Sequence, residues 1–293
     1  MGWTRRGCRA TGANKLAPAG VPGHGRPKTG TVRRMGPVRT EVMWQSVLDA
    51  VAATSTTGSG LDVLDLGGGT GGDAVRLAHL GHRVTVVDPS PDALASLDRR
   101  AAESDLDPPG SVTGIVGDTA DLVEHIAPAS FDLVVCHGVL EHVDDPGQAL
   151  DSTAAALRPT GHVSVVVAGR LAAVLARALA GDFDGAQALF VSDARTWDLR
   201  ASGPRRFVVE EITSLLTAHG FAPVQTNALR VFTDLVPSSL VDVEPGARDR
   251  LFALERLVRT APDLTSLSAG LQCIARLDLP EEPSDRGGRR ATV

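Results

Sequence analysis

Apolar and polar positions along the middle of the chain follow two alternating periods. Leu61–Leu66, Arg83–Val87, Ser111–Val116, Phe131–Cys136 and His162–Val167 are short apolar or β-branched runs of five or six residues. Such runs predict buried strands. Between them, Val42–Val51, Ala74–Leu80, Asp92–Ala102 and Gly147–Leu157 carry the helical period. This βαβα alternation predicts an α/β fold with a doubly wound, mostly parallel sheet covered by helices. After Val167 the rhythm changes. Leu171–Phe190 reads as helix, Val191–Arg206 as irregular, and Val209–His219 as a helix closed by Gly220. Extended stretches at Val224–Phe232 and Gln272–Leu277 flank a helix at Ala247–Arg259. No internal repeat is visible.

The ends read differently. Residues 1–34 are rich in Gly, Pro, Arg and Thr without an apolar period and are expected to be a disordered basic arm, with Met35 as an alternative start. The tail 280–293 has the same character. One domain, 35–279, is expected between them, with an insertion at 168–208.

Composition narrows the function classes. Of 293 residues, 43% are apolar and only 3% aromatic, with no tyrosine, so the core rests on Val, Leu and Ala. Nine Lys and Arg and no acid fall in the first 40 residues, leaving the remaining 253 with a net charge of −15. That acidic body argues against broad, sequence-independent nucleic-acid binding. Cys8, Cys136 and Cys273 are odd in number and lack metal spacing, which points to a reducing cytoplasm. The most apolar stretch, Val163–Leu179, contains Arg170 and Arg177, so no membrane span is expected. An apolar signal core is also missing from the N-terminus.

The chemistry gathers behind the expected strands. Val63–Gly72 reads VLDLGGGTGG, a strand entering glycines and then a helix, where backbone can approach a ligand and helix N–H groups face it. Gly67, Gly69 and Gly72 also satisfy a dinucleotide fingerprint, with Asp88 as its acid. Asp65 favours a cofactor carrying positive charge, because a carboxylate beside the glycines would repel a pyrophosphate. Asp88, ending VTVVDPS, can accept both ribose hydroxyls or serve as an N-cap. Asp118 and the backbone after Gly117 can read an adenine edge or form a simple turn. His137 closes FDLVVCHG at a strand's carboxyl end, with Glu141 and His142 beyond it. No third metal ligand follows at useful spacing, so no metal is expected, and Glu141 and His142 are read as capping or facing solvent. Arg205 and Arg206 precede a helix and are candidates for anion binding.

Taken in order, VLDLGGGTGG, VTVVDPS, GDTADL, FDLVVCHGVLEHV and LRPTGHVSVVV resemble the class I S-adenosylmethionine-dependent methyltransferases over about residues 36–279. The resemblance implies a seven-stranded sheet ending in an antiparallel hairpin, and S-adenosylmethionine as cofactor. VRTEVMWQSVLDAV, FDLVVCHGVLEHVDDP, GDFDGAQALF and NALRVFTDLV are similar to the tRNA 5-carboxymethoxyuridine methyltransferase family. That likeness implies that Arg39 binds the methionyl end and that Gly67 and Gly68 line the cofactor. It further implies that Asp88 holds ribose, that Thr119 and Ala120 flank adenine, and that His137 contacts the cofactor.

The chain departs from that family at Ala269, Gly270 and Gln272, where Arg, Tyr and His stand, and at VSDARTWDLR, which replaces a lysine-rich stretch. Both departures fall on the acceptor side. A carboxylate acceptor needs no general base, being ionised at neutral pH, and Arg205, Arg206 or Arg230 could hold it bidentately. The competing readings are a methyltransferase for a small metabolite, with His137 or His142 as base, and a nicotinamide oxidoreductase or non-catalytic nucleotide sensor.

Overall fold

The computed structural model describes residues 38–55 and 58–278. The expected arm 1–34, Met35 and the tail 280–293 lie outside the described residues. Helix α1 (Val38–Thr54) leads into β1 (Asp62–Leu66), α2 (Gly72–His79), β2 (Arg83–Asp88), α3 (Pro91–Ala102) and β3 (Ser111–Val116). Next come α4 (Leu122–His125), β4 (Phe131–His137), α5 (Pro146–Ala156) and β5 (Leu157–Ala168). An insertion then carries α6 (Arg170–Leu179), α7 (Phe183–Phe190), a 3-10 turn (Ala194–Thr196) and α8 (Leu199–Ser202). It is followed by α9 (Val209–Ala218), β6 (Phe221–Leu229), α10 (Ser238–Val243), α11 (Ala247–Val258), α12 (Pro262–Thr265) and β7 (Gly270–Leu277).

The seven strands form one sheet in the order β3-β2-β1-β4-β5-β7-β6. The first five run parallel, and β7 pairs antiparallel with both β5 and β6. Strand residues alternate between two cores. Val63, Val84, Val86, Leu133 and Val135 pack beneath α1, α2 and α3 with Val47, Leu77 and Leu97. Leu64, Leu66, Val134 and Val165 face the other way, against Leu150, Ile212 and Leu216 of α5 and α9. Each such side chain, nearly unexposed, contributes roughly 1.5–3 kcal/mol by leaving water. Two caps fix the connections nearest the carboxyl ends of the strands. Ser90 Oγ accepts the Ala93 N–H at 3.2 Å with Pro91 opening α3, and Asp145 accepts the Gly147 N–H at 2.8 Å with Pro146 opening α5.

The C-terminal half departs from expectation in three places. The single helix expected over Leu171–Phe190 is two helices. Asp182 accepts the Gly185 N–H at 3.0 Å and starts α7 anew. The segment Val191–Arg206, expected to be irregular, contains the 3-10 turn and α8, opened by the caps Asp193 and Asp198. The strand expected at Val224–Phe232 starts at Phe221 and stops at Leu229. It stops because Val231, Phe232 and Thr233 donate their N–H groups to the Glu255 carboxylate rather than to a neighbouring strand.

Among the described residues no helix is long and apolar enough to cross a membrane. Cys136 and Cys273 are buried free thiols, and no cluster of three or more His, Cys, Asp or Glu among the described residues could hold a metal.

Candidate functional site

The sheet order reverses between β1 and β4, and open α/β sheets bind ligands beyond the carboxyl ends of strands at such a point. There the chain turns through Gly67 and Gly69 at φ +66° and +55°, a region L side chains rarely adopt. The Gly67 N–H bonds the Val87 carbonyl at 2.8 Å, and the Gly69 N–H bonds Asp88 Oδ2 at 2.9 Å. Asp88 Oδ1 accepts the Ser90 N–H at 2.9 Å. Each Asp88 oxygen therefore keeps one acceptor site, since a carboxylate oxygen takes two hydrogen bonds. Gly67, Asp88, Asp118, Thr119 and Ala120 line one cavity of about 500 Å³, closed on the far side by Gly138, Val139 and His142. That volume lies within the ~300–1,000 Å³ range of small-molecule sites. Asp118 Oδ1 accepts the Ala120 N–H at 2.6 Å, which shapes the turn and leaves its second oxygen for a ligand.

Asp65 lies behind this turn rather than in the cavity wall. It is buried, and a Cβ on Gly68 would strike its carboxylate, so only glycine there lets the turn close over it. Burial first, and then the charges of Asp73 and Asp88, push its pKa up to about 7. No described hydrogen bond reaches it. A buried carboxylate facing two others, without a cation, suits a ligand bearing positive charge and disfavours a pyrophosphate. Asp88 with free acceptor sites suits a ribose. Together the residues present fit S-adenosylmethionine.

His137 is half-buried on the α1 side of the sheet, its Nε2 2.8 Å from Ser164 Oγ. Ser164 Oγ also accepts from Gln272 Nε2 at 2.9 Å, which ties the imidazole into the network behind it. Burial pushes His137 down to about 3, so it is neutral. Gln272 also donates to the Ser46 carbonyl at 2.7 Å and accepts from Asn227 Nδ2 at 2.8 Å.

Glu141, expected to cap or face solvent, is buried instead. Its Oε1 accepts the Ala168 N–H at 2.8 Å, its carbonyl accepts the Arg205 N–H at 2.8 Å, and its Oε2 is buried without a hydrogen bond. Burial raises its pKa. Glu141 thus ties the loop after β4 to the end of β5. Its only sequence signal was its place four residues beyond the strand.

The acceptor candidates separate. Arg205 leaves them, because its guanidinium bonds the carbonyls of Ala194, Leu140 and Val143 at 3.0, 3.1 and 2.9 Å and fastens the insertion to the loop after β4. Arg206 and Arg230 line a second cavity, of about 290 Å³, under α6. Arg39 is exposed and pairs at 2.6 Å with Asp234, which also lines that cavity, so the helix end carrying Arg39 lies at the cavity under α6 and not among the residues lining the glycine-turn cavity. A larger cavity of about 980 Å³ between α5 and α9 is lined by Asp144, Asp145, Asp151 and Glu210 and contains none of the expected cofactor residues.

Residues 64–163 match the family described as a methyltransferase domain. The chain is 31% identical over 153 residues to the tRNA 5-carboxymethoxyuridine methyltransferase of Escherichia coli K12, covering 52% of this chain and 57% of that protein. It is 35% identical over 122 residues to a ubiquinone biosynthesis O-methyltransferase of Caulobacter vibrioides, covering 42% and 46%. The chain thus matches about half the length of these curated relatives. Its fold is similar to that of an S-adenosylmethionine-dependent methyltransferase from Methanosarcina mazei, with TM-score 0.54, 18% identity and coverage of 78% of this chain and 97% of that one.

Proposed function

We propose that the chain, whose residues 64–163 match a methyltransferase domain and whose fold is similar to that of an S-adenosylmethionine-dependent methyltransferase, is a class I methyltransferase that transfers a methyl group to a carboxylate oxygen. The observation that carries this is the pairing of two unlike sites at neighbouring strand ends. One is a carboxylate-backed glycine turn suited to a sulfonium cofactor. The other is a cavity whose Arg206 has no ion pair or hydrogen bond among the described residues.

In this reading the cofactor supplies an electrophilic methyl group. Asp88 accepts the ribose hydroxyls, Asp118, Thr119 and Ala120 hold the adenine edge, and Gly67 to Gly69 let the backbone approach. Asp65 answers the positive charge of the methionyl end. Arg206 and Arg230 orient the acceptor carboxylate, and positioning accounts for most of the acceleration in such an in-line displacement. No proton has to be removed, which agrees with a His137 that is neutral and bonded to Ser164.

The Escherichia coli relative is named for tRNA 5-carboxymethoxyuridine, and this brings that modified tRNA nucleoside to the chain as one candidate acceptor. Residues Ala269, Gly270 and Gln272 weaken that acceptor, because they replace the side chains the family carries there. The ubiquinone relatives favour a second reading, O-methylation of a small molecule, with His142 as the base since it lines the cofactor cavity. In every case the buried free thiols Cys136 and Cys273 suit a reducing cytoplasm.

The test starts with ligand-induced thermal shift. S-adenosylhomocysteine is expected to raise the midpoint and NAD(H) to leave it unchanged. A shift with NAD(H) alone would sink the methyltransferase reading.

A further inference from the structure

The cavity under α6 lies where β5 ends at Ala168 and the turn after β6 begins, and its construction says more about the acceptor than its charge alone. We propose that the acceptor is a small carboxylic acid with an apolar body, and that the turn Arg230–Asp234 is built to hold its carboxylate; this rests on the methyl-transfer reading above.

Charge comes first. Three guanidiniums, those of Arg177, Arg206 and Arg230, line the cavity with a single carboxylate, Asp234. Arg177 pairs with Asp182 at 2.7 Å, and Arg230 makes only long contacts, to Asp234 at 3.3 Å and to the Ala269 carbonyl at 3.4 Å. Arg206, half-buried, has no partner among the described residues. Burial and the charges of Arg177 and Arg230 all lower its pKa, with Glu141 opposing them. An anion placed between Arg206 and Arg230 removes that repulsion.

The turn is a second, independent observation. Arg230 sits at φ +59°, a strained conformation for a residue with a side chain. It is held there by Glu255, buried to 2% exposure, which accepts the N–H groups of Val231, Phe232 and Thr233 at 3.0, 2.9 and 2.7 Å and the Thr233 hydroxyl at 2.6 Å. Arg230 Nε is buried and has no hydrogen-bond partner. A strained arginine, over-determined from behind and left with a free buried donor, is built for a ligand rather than for the fold.

The walls select the body of that ligand. Ala172, Ala173 and Ala176 from α6, with Leu235 and Leu267 opposite, are apolar, and the lining contains no aromatic ring. A nucleobase would find nothing to stack on and little to answer its polar edges. The cavity, of about 290 Å³, accommodates a small carboxylic acid of this kind. The basic side chains at the rim, Arg39 and Arg177, are paired with carboxylates and so are poorly placed for a phosphate backbone.

The reaction balances without a further reactant. A carboxylate oxygen of the acceptor attacks the methyl carbon, the new C–O bond forms as the S–C bond breaks, and the electron pair stays on sulfur. The products are a methyl ester and S-adenosylhomocysteine, with no proton moved.

The test uses the full chain with S-adenosylmethionine, following S-adenosylhomocysteine release. Straight-chain and aryl acids of six to ten carbons are compared with the matching alcohols and with unfractionated tRNA. Acids are expected to turn over and alcohols not. Arg206→Gln is expected to raise KM for the best acid at least tenfold while S-adenosylhomocysteine affinity, measured by calorimetry, stays the same and reports intact folding. Arg206→Lys, which keeps the charge but not the planar fork, is expected to fall between. Turnover of tRNA or of alcohols but not acids overturns this inference alone. Failure to bind S-adenosylhomocysteine overturns the methyl-transfer reading beneath it as well.

Discussion

Replacing Asp88 by alanine separates what this carboxylate does for the fold from what it does for the cofactor. In the ligand-free protein the change removes the acceptors of two backbone N–H groups, Gly69 at 2.9 Å and Ser90 at 2.9 Å. Gly69 is half-buried and Ser90 exposed, so water can reach both donors and each loss is at the low end, about 1 kcal/mol. The free protein is then expected to lose about 2 kcal/mol, or roughly 4–8 °C in Tm for a chain of this size. Cofactor binding loses two further hydrogen bonds, from ribose hydroxyls to a charged acceptor, a net of about 2–4 kcal/mol after partial replacement by water. At about 1.4 kcal/mol per tenfold, the Kd for S-adenosylhomocysteine rises roughly thirty- to several-hundred-fold. Asp88→Asn keeps one acceptor but turns an amide N–H₂ toward either the Gly69 or the Ser90 N–H. It should cost similar stability in the free protein and less affinity. Calorimetry of both variants, with a melt of each in the absence of ligand, reads the two effects independently. A lowered Tm with unchanged affinity in the alanine variant would refute the ribose contact and leave Asp88 as a structural tie of the glycine turn.

Asp65 predicts a proton linked to binding. Its pKa is about 7 in the folded chain and 3.8 in the ordinary carboxylate, so the ligand-free fold holds its proton more tightly than the unfolded chain does. This group's contribution to stability is therefore full below pH 4 and lost as pH rises toward 7. A cationic cofactor should drive the proton off, so binding heats at pH 6 are expected to depend on the buffer's ionisation enthalpy and at pH 8 not to. Buffer-independent heats at pH 6, or the same dependence in Asp65→Asn, would count against the assignment. Gln272→Leu removes one buried hydrogen-bond partner each from Asn227 Nδ2, the Ser46 carbonyl and the Ser164 hydroxyl. It should lower stability by about 2–4 kcal/mol in urea unfolding. Nitrogen-15 spectra should also show the His137 imidazole signals shifting. A variant as stable as the parent with an unchanged imidazole signal would mean that the network contributes nothing.

The two halves of the site differed in how far the sequence disclosed them, and the reason is the range of the interactions that build them. The cofactor half is chain-local. Gly67 to Gly69 follow β1 directly, Asp88 ends β2, and Thr119 follows β3, so strand periodicity and short motifs are enough to place them around one crevice. The parallel sheet could be expected on the same grounds, because strands alternate with helices at regular spacing, whereas its seven strands and terminal hairpin rested on the family resemblance. Asp65 was partly legible. Its charge was visible, but its burial behind the turn depends on Gly68 and on the charges of Asp73 and Asp88 meeting it in space.

The acceptor half is assembled from distant pieces. Arg205 reaches the Leu140 carbonyl 65 residues away, Glu255 anchors Val231 across 24, and Arg39 meets Asp234 across 195. No local pattern distinguishes Arg205, which fastens the insertion to a loop, from Arg206 beside it, which is left unpaired in a cavity. Nor does any period show that a carboxylate on α11 ends β6 and forces Arg230 into a left-handed conformation. The split also has a functional logic. On the proposed reading the sheet ends hold the cofactor, whereas insertion and turn are free to vary without disturbing the core, which puts acceptor choice where sequence patterns say least.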